Sequence, residues 1–155
     1  MDQNTTLDHY MKIAWQQVSN KYNMIAAQHG FTQAAGYILI HIHKNGTSVS
    51  QIASSTGVKA TSLSRVLGNL EKTGLIYREI SQEDKRSVKV FLTPYGIQKR
   101  KLAKLVVRDF NDYLYSNLSS REVAQLTKIL TKITLLTEKY ESKVSLEEEV
   151  LTSQS

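Results

Sequence analysis

Apolar residues recur every three or four positions in the first part of the chain. From Thr6 to His29 this spacing places them on one face of a helix, and Gly30 follows as a stop signal. The apolar positions of this face are Leu7, Tyr10, Met11, Ala14, Val18, Tyr22 and Ile25. The pattern predicts one long amphipathic helix, longer than a small helical domain needs.

Three shorter helices are predicted to follow, each ended by a turn signal. The first covers residues 32–43 and closes at an Asn-Gly turn. The second is capped by Thr47 or Ser48 and runs through residue 56. The third covers residues 60–72 and ends before Gly74. Together they predict a compact helical head.

The pattern changes from helical to β after Gly74. Residues 75–80 and 87–92 are rich in β-branched and aromatic side chains, and the polar residues 81–86 separate them. This arrangement predicts a β-hairpin with a charged tip.

Two further helices are predicted after the hairpin. Thr93 and Pro94 provide a cap and a proline at the first helical position of a helix to about residue 118, and residues 119–122 cap the last helix. The apolar stripes of the two helices are Leu102, Leu105, Val106, Phe110, Tyr113 and Leu114, and Val123, Leu126, Leu130, Ile133, Leu136 and Tyr140. Both stripes are too long for the head to cover.

Positive charge is concentrated in the centre of the chain. The 155 residues carry 20 Lys and Arg against 14 Asp and Glu, a net charge of +6. Residues 59–104 contribute +7 from eleven basic and four acidic side chains, whereas residues 1–58 contribute +1 and residues 105–155 contribute −2. A basic centre is typical of a nucleic-acid-binding surface, and a solvated basic face is its alternative.

Residues 49–66 have the small and apolar positions that a helix-turn-helix requires. Ala53 is small where two helices cross, and Gly57 can adopt the left-handed conformation of a tight turn. The shared core is predicted to contain Ile52, Val58, Leu63 and Val66. The alternative is a generic pair of helices with a solvated polar face.

The second helix of this motif has a polar, positive face opposite its leucines. The candidate DNA-binding residues on it are Lys59, Thr61, Ser62, Ser64, Arg65, Asn69 and Lys72. In the major groove an arginine can bind guanine through two hydrogen bonds, and an asparagine can pair with adenine. Arg65 is therefore the first candidate for base readout.

The hairpin tip supplies candidates for contact with an adjacent minor groove or its phosphates. Lys85, Arg86 and Ser87 are these wing candidates, and Arg86 is the preferred groove residue. Asp84 would repel phosphate if it pointed outward. We therefore expect Asp84 to pair with a neighbouring arginine or lysine and to shape the turn.

Several other chemistries are excluded or have no motif. The absence of cysteine excludes disulfides, thiolate metal sites and thiol-based redox sensing. His41 and His43 lie two positions apart on a predicted helix and point in different directions, which argues against a shared metal ion. No catalytic motif or membrane-length run of ~18 apolar residues occurs. We expect a cytoplasmic protein that is not an enzyme, has no cofactor or metal and does not enter a membrane.

The order of helices, the tip Asp84-Lys85-Arg86-Ser87 and the segment Leu92-Thr93-Pro94-Tyr95-Gly96 resemble the MarR family of winged helix-turn-helix regulators. The most specific mark of that family, Asp-x-Arg followed by Leu-Thr-x-x-Gly, is complete here. The resemblance implies a mainly α fold with a small β-hairpin wing (α+β), in which long dimerisation helices carry a winged helix-turn-helix head. In this family Thr61, Ser62 and Arg65 map to the recognition helix and Arg86 maps to the wing arginine.

The resemblance also implies how the chain is divided. Residues 1–30 form an N-terminal dimerisation helix, residues 31–95 the DNA-binding region and residues 96–146 the C-terminal dimerisation helices, while residues 147–155 are predicted to be a disordered tail.

Family members are homodimers, usually repressors, that bind pseudo-palindromic operators in double-stranded DNA, and a small aromatic or lipid-like effector often releases them. Aromatic residues that could line an effector cleft are Tyr10, Trp15, Tyr22, His41, Phe110 and Tyr113. Since aromatic stripes more often form a core or an interface, none is assigned to a site. The alternatives are a winged helix that contacts proteins and, in another class, a small-molecule-binding or catalytic helical dimer.

Overall fold

The computed structural model describes residues 6–144, which form helices and a small antiparallel sheet. In chain order the elements are α1 (Leu7–Gln28), α2 (Gln33–Ile40), β1 (Thr47–Ser48), α3 (Val49–Thr56), α4 (Ala60–Lys72), β2 (Ile76–Ile80), β3 (Val88–Leu92), α5 (Pro94–Asn117) and α6 (Ser120–Lys139). The predicted class, mainly α with a β-hairpin wing, is confirmed. The expected disordered tail, 147–155, lies outside the described residues.

The chain forms two compact units, Met1–Phe110 and Asn111–Ser155. The first contains the predicted head together with α1 and most of α5. The division of the chain into DNA-binding and dimerisation parts stays a prediction.

The predicted end of α2 is wrong by three residues. The sequence pattern extends the helix to His43, but it ends at Ile40 and His41 is the C-terminal cap. The backbone amide of His43 then donates to Thr47 Oγ1 at 2.8 Å instead of to a helix carbonyl. His41 and His43 therefore do not lie on a helix.

The sheet contains one strand more than the hairpin that was predicted. Its order is β1-β3-β2, and both pairings are antiparallel. Ile76 pairs with Leu92 at the base of the wing and Ile80 pairs with Val88 near its tip. β1 joins the outer edge of β3, so the wing is anchored to the residues that begin α3.

The core of the first unit lies between α2, α3, α4 and the sheet. Its buried members are Ala35, Ile38, Leu39, Ile42, Ile52, Leu63, Leu67, Leu70, Leu75, Ile76, Val90 and Leu92. Each fully buried leucine or isoleucine stabilises the fold by roughly 1.5–3 kcal/mol. The predicted shared core of the helix-turn-helix is confirmed, with Val58 and Val66 half-buried against this cluster.

A joint between the wing and α5 is formed by Thr93. Its hydroxyl donates to the carbonyl of Gly74 at 2.6 Å and accepts from the backbone amide of Gly96 at 3.0 Å. Its own amide donates to the carbonyl of Leu75 at 3.1 Å. The start of α5 is therefore fixed to the segment that follows α4.

The second unit contains the end of α5 and the whole of α6. Ser119 and Glu122 form a capping box at the start of α6, and the hydroxyl and amide of Ser119 lower the pKa of the Glu122 carboxyl. The apolar stripe of α6 is largely exposed, with Leu126 at 52%, Leu130 at 42% and Leu136 at 57%.

Candidate nucleic-acid interface

The helix-turn-helix consists of α3, a tight turn and α4. Ser48 caps α3 by accepting from the amide of Gln51, whose side chain binds the Ser48 amide in return. Gly57 ends the helix with φ of +67°, a left-handed conformation that disfavours side chains with a Cβ. The turn therefore has the geometry that the sequence predicts.

The polar face of α4 points away from the core. Leu63, Leu67 and Leu70 are buried on one side of this helix. Of the predicted candidates, Lys59, Thr61, Ser64, Arg65, Asn69 and Lys72 are exposed on the other side, and Ser62 is half-buried. No Asp or Glu occurs between residues 9 and 70, so the start and middle of this face have no acidic sequence neighbour. The face can accept an anionic surface such as a phosphate backbone.

The wing tip is shaped by Asp84 through the backbone. Its carboxylate Oδ1 accepts from the amide of Arg86 at 3.0 Å, and its carbonyl accepts from the amide of Ser87 at 2.8 Å. The expected ion pair with a lysine or arginine is not found among residues 6–144. The prediction of an ion pair was wrong because amides of the turn itself satisfy this short side chain. Lys85 and Arg86 are exposed at the tip, and Ser87 is half-buried.

The sequence reading missed Arg78, which lies beside the predicted wing residues. Arg78, Arg86, Ser50 and Ser87 all line a hollow of about 430 Å³ between the start of α3 and the wing. Arg78 Nε lies 3.2 Å from Glu71 Oε2, close enough for an ion pair but not aligned for a hydrogen bond. The sequence could have indicated this residue, because side chains alternate along β2 and Arg78 therefore lies on the same side of the strand as buried Ile76.

Comparison with known proteins finds one family that this part of the chain resembles. Residues 29–87 match the model described as MarR family. The structure of a cysteine-to-serine mutant of E. coli MarR complexed with operator DNA is similar, with 26% identity and a TM-score of 0.74 over 82% of this chain and 92% of that chain. The winged-helix part of the chain is therefore similar to the MarR family.

Two other proteins are similar to this chain, one in structure and one in sequence. The S. aureus MepR–DNA complex has a TM-score of 0.79 over 86% of this chain and 99% of that chain, at 24% identity. A Thauera aromatica protein named for transcriptional regulation of the hcr operon is 29% identical over 99 residues. Those residues are 63% of this chain and 59% of the relative, so the chain spans less than two thirds of the length of this curated relative.

The chain also contains an apolar cavity of about 190 Å³ in its first unit. The cavity is lined by Trp15, Tyr22, Ala26, Phe31, Gln33, Gly36, Tyr37, Ile40, Ala103, Val106 and Val107. Of the six aromatic residues considered for a cleft, only Trp15 and Tyr22 line it, and the Phe110 ring packs 5.2 Å from the Tyr22 ring. The lining is almost entirely apolar, as in pockets that bind small aromatic compounds.

Two further findings concern only the described residues. No helix among them is long and apolar enough to cross a membrane. Within 6–144 no group of three or more His, Asp or Glu side chains is arranged to hold a metal ion.

Proposed function

We propose that this chain is a sequence-specific regulator of transcription that binds double-stranded DNA. The observation that carries the proposal is the exposed, positive face of α4 and the exposed basic wing tip, both on elements that pack on one buried core. Two similar structures, those of MarR and MepR, are complexes with DNA, which supports the same partner here. The partner is DNA, so we also propose a cytoplasmic location and no enzymatic role.

The α4 residues take different roles in this proposal. Arg65 and Asn69 read bases in the major groove, while Thr61, Ser62 and Ser64 bind bases or phosphates. Lys59 and Lys72, at the two ends of the helix, bind phosphates and add affinity without sequence preference. In the wing, Lys85, Arg86 and Ser87 reach the flanking minor groove or its phosphates.

We propose further that the regulator is a homodimeric repressor. The exposed stripe of α6 and the exposed apolar residues at the start of α1, such as Leu7 at 71% and Tyr10 at 59%, have no cover within the described chain. A second copy would bury them, since dimer interfaces resemble domain cores. A twofold dimer places two α4 helices in successive major grooves, which fits a pseudo-palindrome.

Selection of genomic fragments by the purified protein at physiological salt tests this function. We expect enrichment of one shared pseudo-palindrome with half-sites about 10 to 10.5 base pairs apart, centre to centre. Enrichment of a single half-site would contradict the proposed dimer but would support sequence-specific DNA binding. If no sequence is enriched and duplex binding shows no salt dependence, the head is a protein-contact module and the proposal is wrong.

The apolar cavity is the proposed site of a small aromatic or lipid-like effector. Trp15, the only tryptophan of the chain, lines the cavity and provides a fluorescence signal. We expect phenol to change this fluorescence and to weaken operator binding. Val106→Phe fills part of the cavity and should weaken phenol binding by about tenfold.

Leu105→Phe is the matched control, because Leu105 is the neighbouring residue of α5, is 51% exposed and does not line the cavity. This variant should bind phenol as the wild type does. If the two variants respond equally, or if phenol has no effect on operator binding, the cavity is not the effector site.

A further inference from the structure

Four basic side chains surround a hollow that no residue of the proposed DNA-binding face lines. Lys44, Arg100, Lys101 and Lys104, together with Ile97, line an open hollow of about 340 Å³. This set of five residues is called the basic hollow below. Lys44 comes from the turn after α2, and the other residues come from the first half of α5.

One basic side chain of the hollow is held in place by a hydrogen bond to the backbone. The half-buried Arg100 donates from Nη1 to the carbonyl of buried Ile42 at 2.8 Å, which fixes the guanidinium. Among the described residues its other N–H groups have no further hydrogen-bond partner. Ile97, Lys101 and Lys104 follow at intervals of four and three along α5, so they share one face. Lys99 is directed elsewhere, because it donates to the carbonyl of His29.

The two sequence segments that form the hollow contain no acidic residue. No Asp or Glu occurs between residues 85 and 108, nor between residues 9 and 70. Within the described part of the chain, none of the four basic residues forms an ion pair. Concave surfaces of one charge focus the electrostatic field and attract counter-ions.

We propose that the basic hollow binds a small multivalent anion that carries two or more phosphate groups. Arg100 would hold one phosphate through two parallel hydrogen bonds, and the lysines would act as point charges on the others. The site lies outside the α4 and wing residues assigned to DNA, so it adds a ligand to the proposed function and does not restate it. Bound anion would remove the repulsion among the four cations and stabilise the fold.

Titration calorimetry of the full chain with inorganic triphosphate, in the absence of DNA, tests the site. We expect saturable binding and a raised unfolding temperature with triphosphate, and weaker effects with orthophosphate. Lys101→Gln/Lys104→Gln should lower the affinity for triphosphate by about tenfold or more, because each substitution removes one positive charge from the site. Both side chains are exposed, so the unliganded variant should fold normally.

Two control variants separate this site from general charge effects. Lys12→Gln/Lys21→Gln removes two exposed lysines of α1 and should leave triphosphate binding unchanged, as should Arg65→Gln/Arg86→Gln on the DNA-binding face. Absence of saturable binding, or an equal loss in any control, would overturn the proposal. A Lys101→Gln/Lys104→Gln variant that binds triphosphate normally but binds duplex DNA less tightly would also overturn it, because the hollow would then be a DNA contact. The expected result is that Lys101→Gln/Lys104→Gln loses triphosphate binding and keeps operator binding. The proposed DNA-binding function would then stand independently of the basic hollow.

Discussion

Gly96→Ala is expected to lower the free energy of unfolding by about 3 kcal/mol. A Cβ at this position would lie 1.9 Å from the carbonyl oxygen of Leu75, a backbone atom that cannot rotate aside. The Thr93 joint holds both segments, since Thr93 binds the carbonyls of Gly74 and Leu75 while α5 begins one residue later. Relief of the clash requires those hydrogen bonds to lengthen or break.

Gly68→Ala is the matched control for this prediction. Gly68 also lies in a helix, but an added Cβ would meet no atom within 4 Å. This variant should gain about 0.5–1 kcal/mol, because alanine loses less backbone entropy than glycine in a helix. Urea unfolding at equilibrium measures both values. Equal stabilities of the two variants would show that the Gly96 and Leu75 backbones are not close enough to exclude a methyl group.

Arg65→Ala/Arg86→Ala is expected to weaken binding to the selected operator by about a hundredfold or more, since each lost arginine contact is worth about 1–3 kcal/mol. Both residues are exposed, and the Asp84 carboxylate binds the backbone of Arg86, so the turn survives the loss of the side chain. The unfolding free energy should therefore change by less than about 0.5 kcal/mol. Fluorescence anisotropy with operator and scrambled duplexes measures the ratio of the two affinities.

Lys72→Ala supplies the comparison for this experiment. Lys72 is exposed at the end of α4 and is assigned to a phosphate, so its loss should weaken operator and scrambled duplexes alike. It should also lower the slope of log affinity against log salt by about one unit. The division of roles fails if the double arginine variant keeps the wild-type ratio of affinities, or if Lys72→Ala changes that ratio.

Elements with both ends encoded in the sequence were predicted best. The helix predicted from about residue 60 to residue 72 agrees with α4, because its leucines have a clear helical period and Gly74 follows its end. The end of α2 was missed because the helical period of apolar residues continues through Ile42. The helix ends earlier, and the amide of His43 donates to the side chain of Thr47 instead. β1 has two residues, too few to show an alternation, and exists only through its pairing with β3.

In the candidate site too, features set by local sequence were predictable and features set by distant contacts were not. The exposed face of α4 follows from helical period alone, so its residues could be named from sequence. Asp84 lies in the wing turn as predicted, but its carboxylate accepts from a backbone amide and not from a basic side chain. The sequence does not show which of these two donors is nearer. The basic hollow could not be predicted, since Lys44 and Arg100 are far apart along the chain and meet only when α5 packs beside the turn after α2.

The Thr93 joint has a consequence for how relatives of this chain are recognised. Leu92, Thr93 and Gly96 belong to the most specific mark of the family, yet their contacts are with the backbone after α4 and with the core. Selection for a folded head is enough to keep these three residues. A chain with this fold that did not bind DNA would still need them to fold, whereas it would not need the exposed Arg65 and Arg86. If the proposed function is correct, the two arginines distinguish chains that bind an operator from chains that only share the fold, and the motif does not.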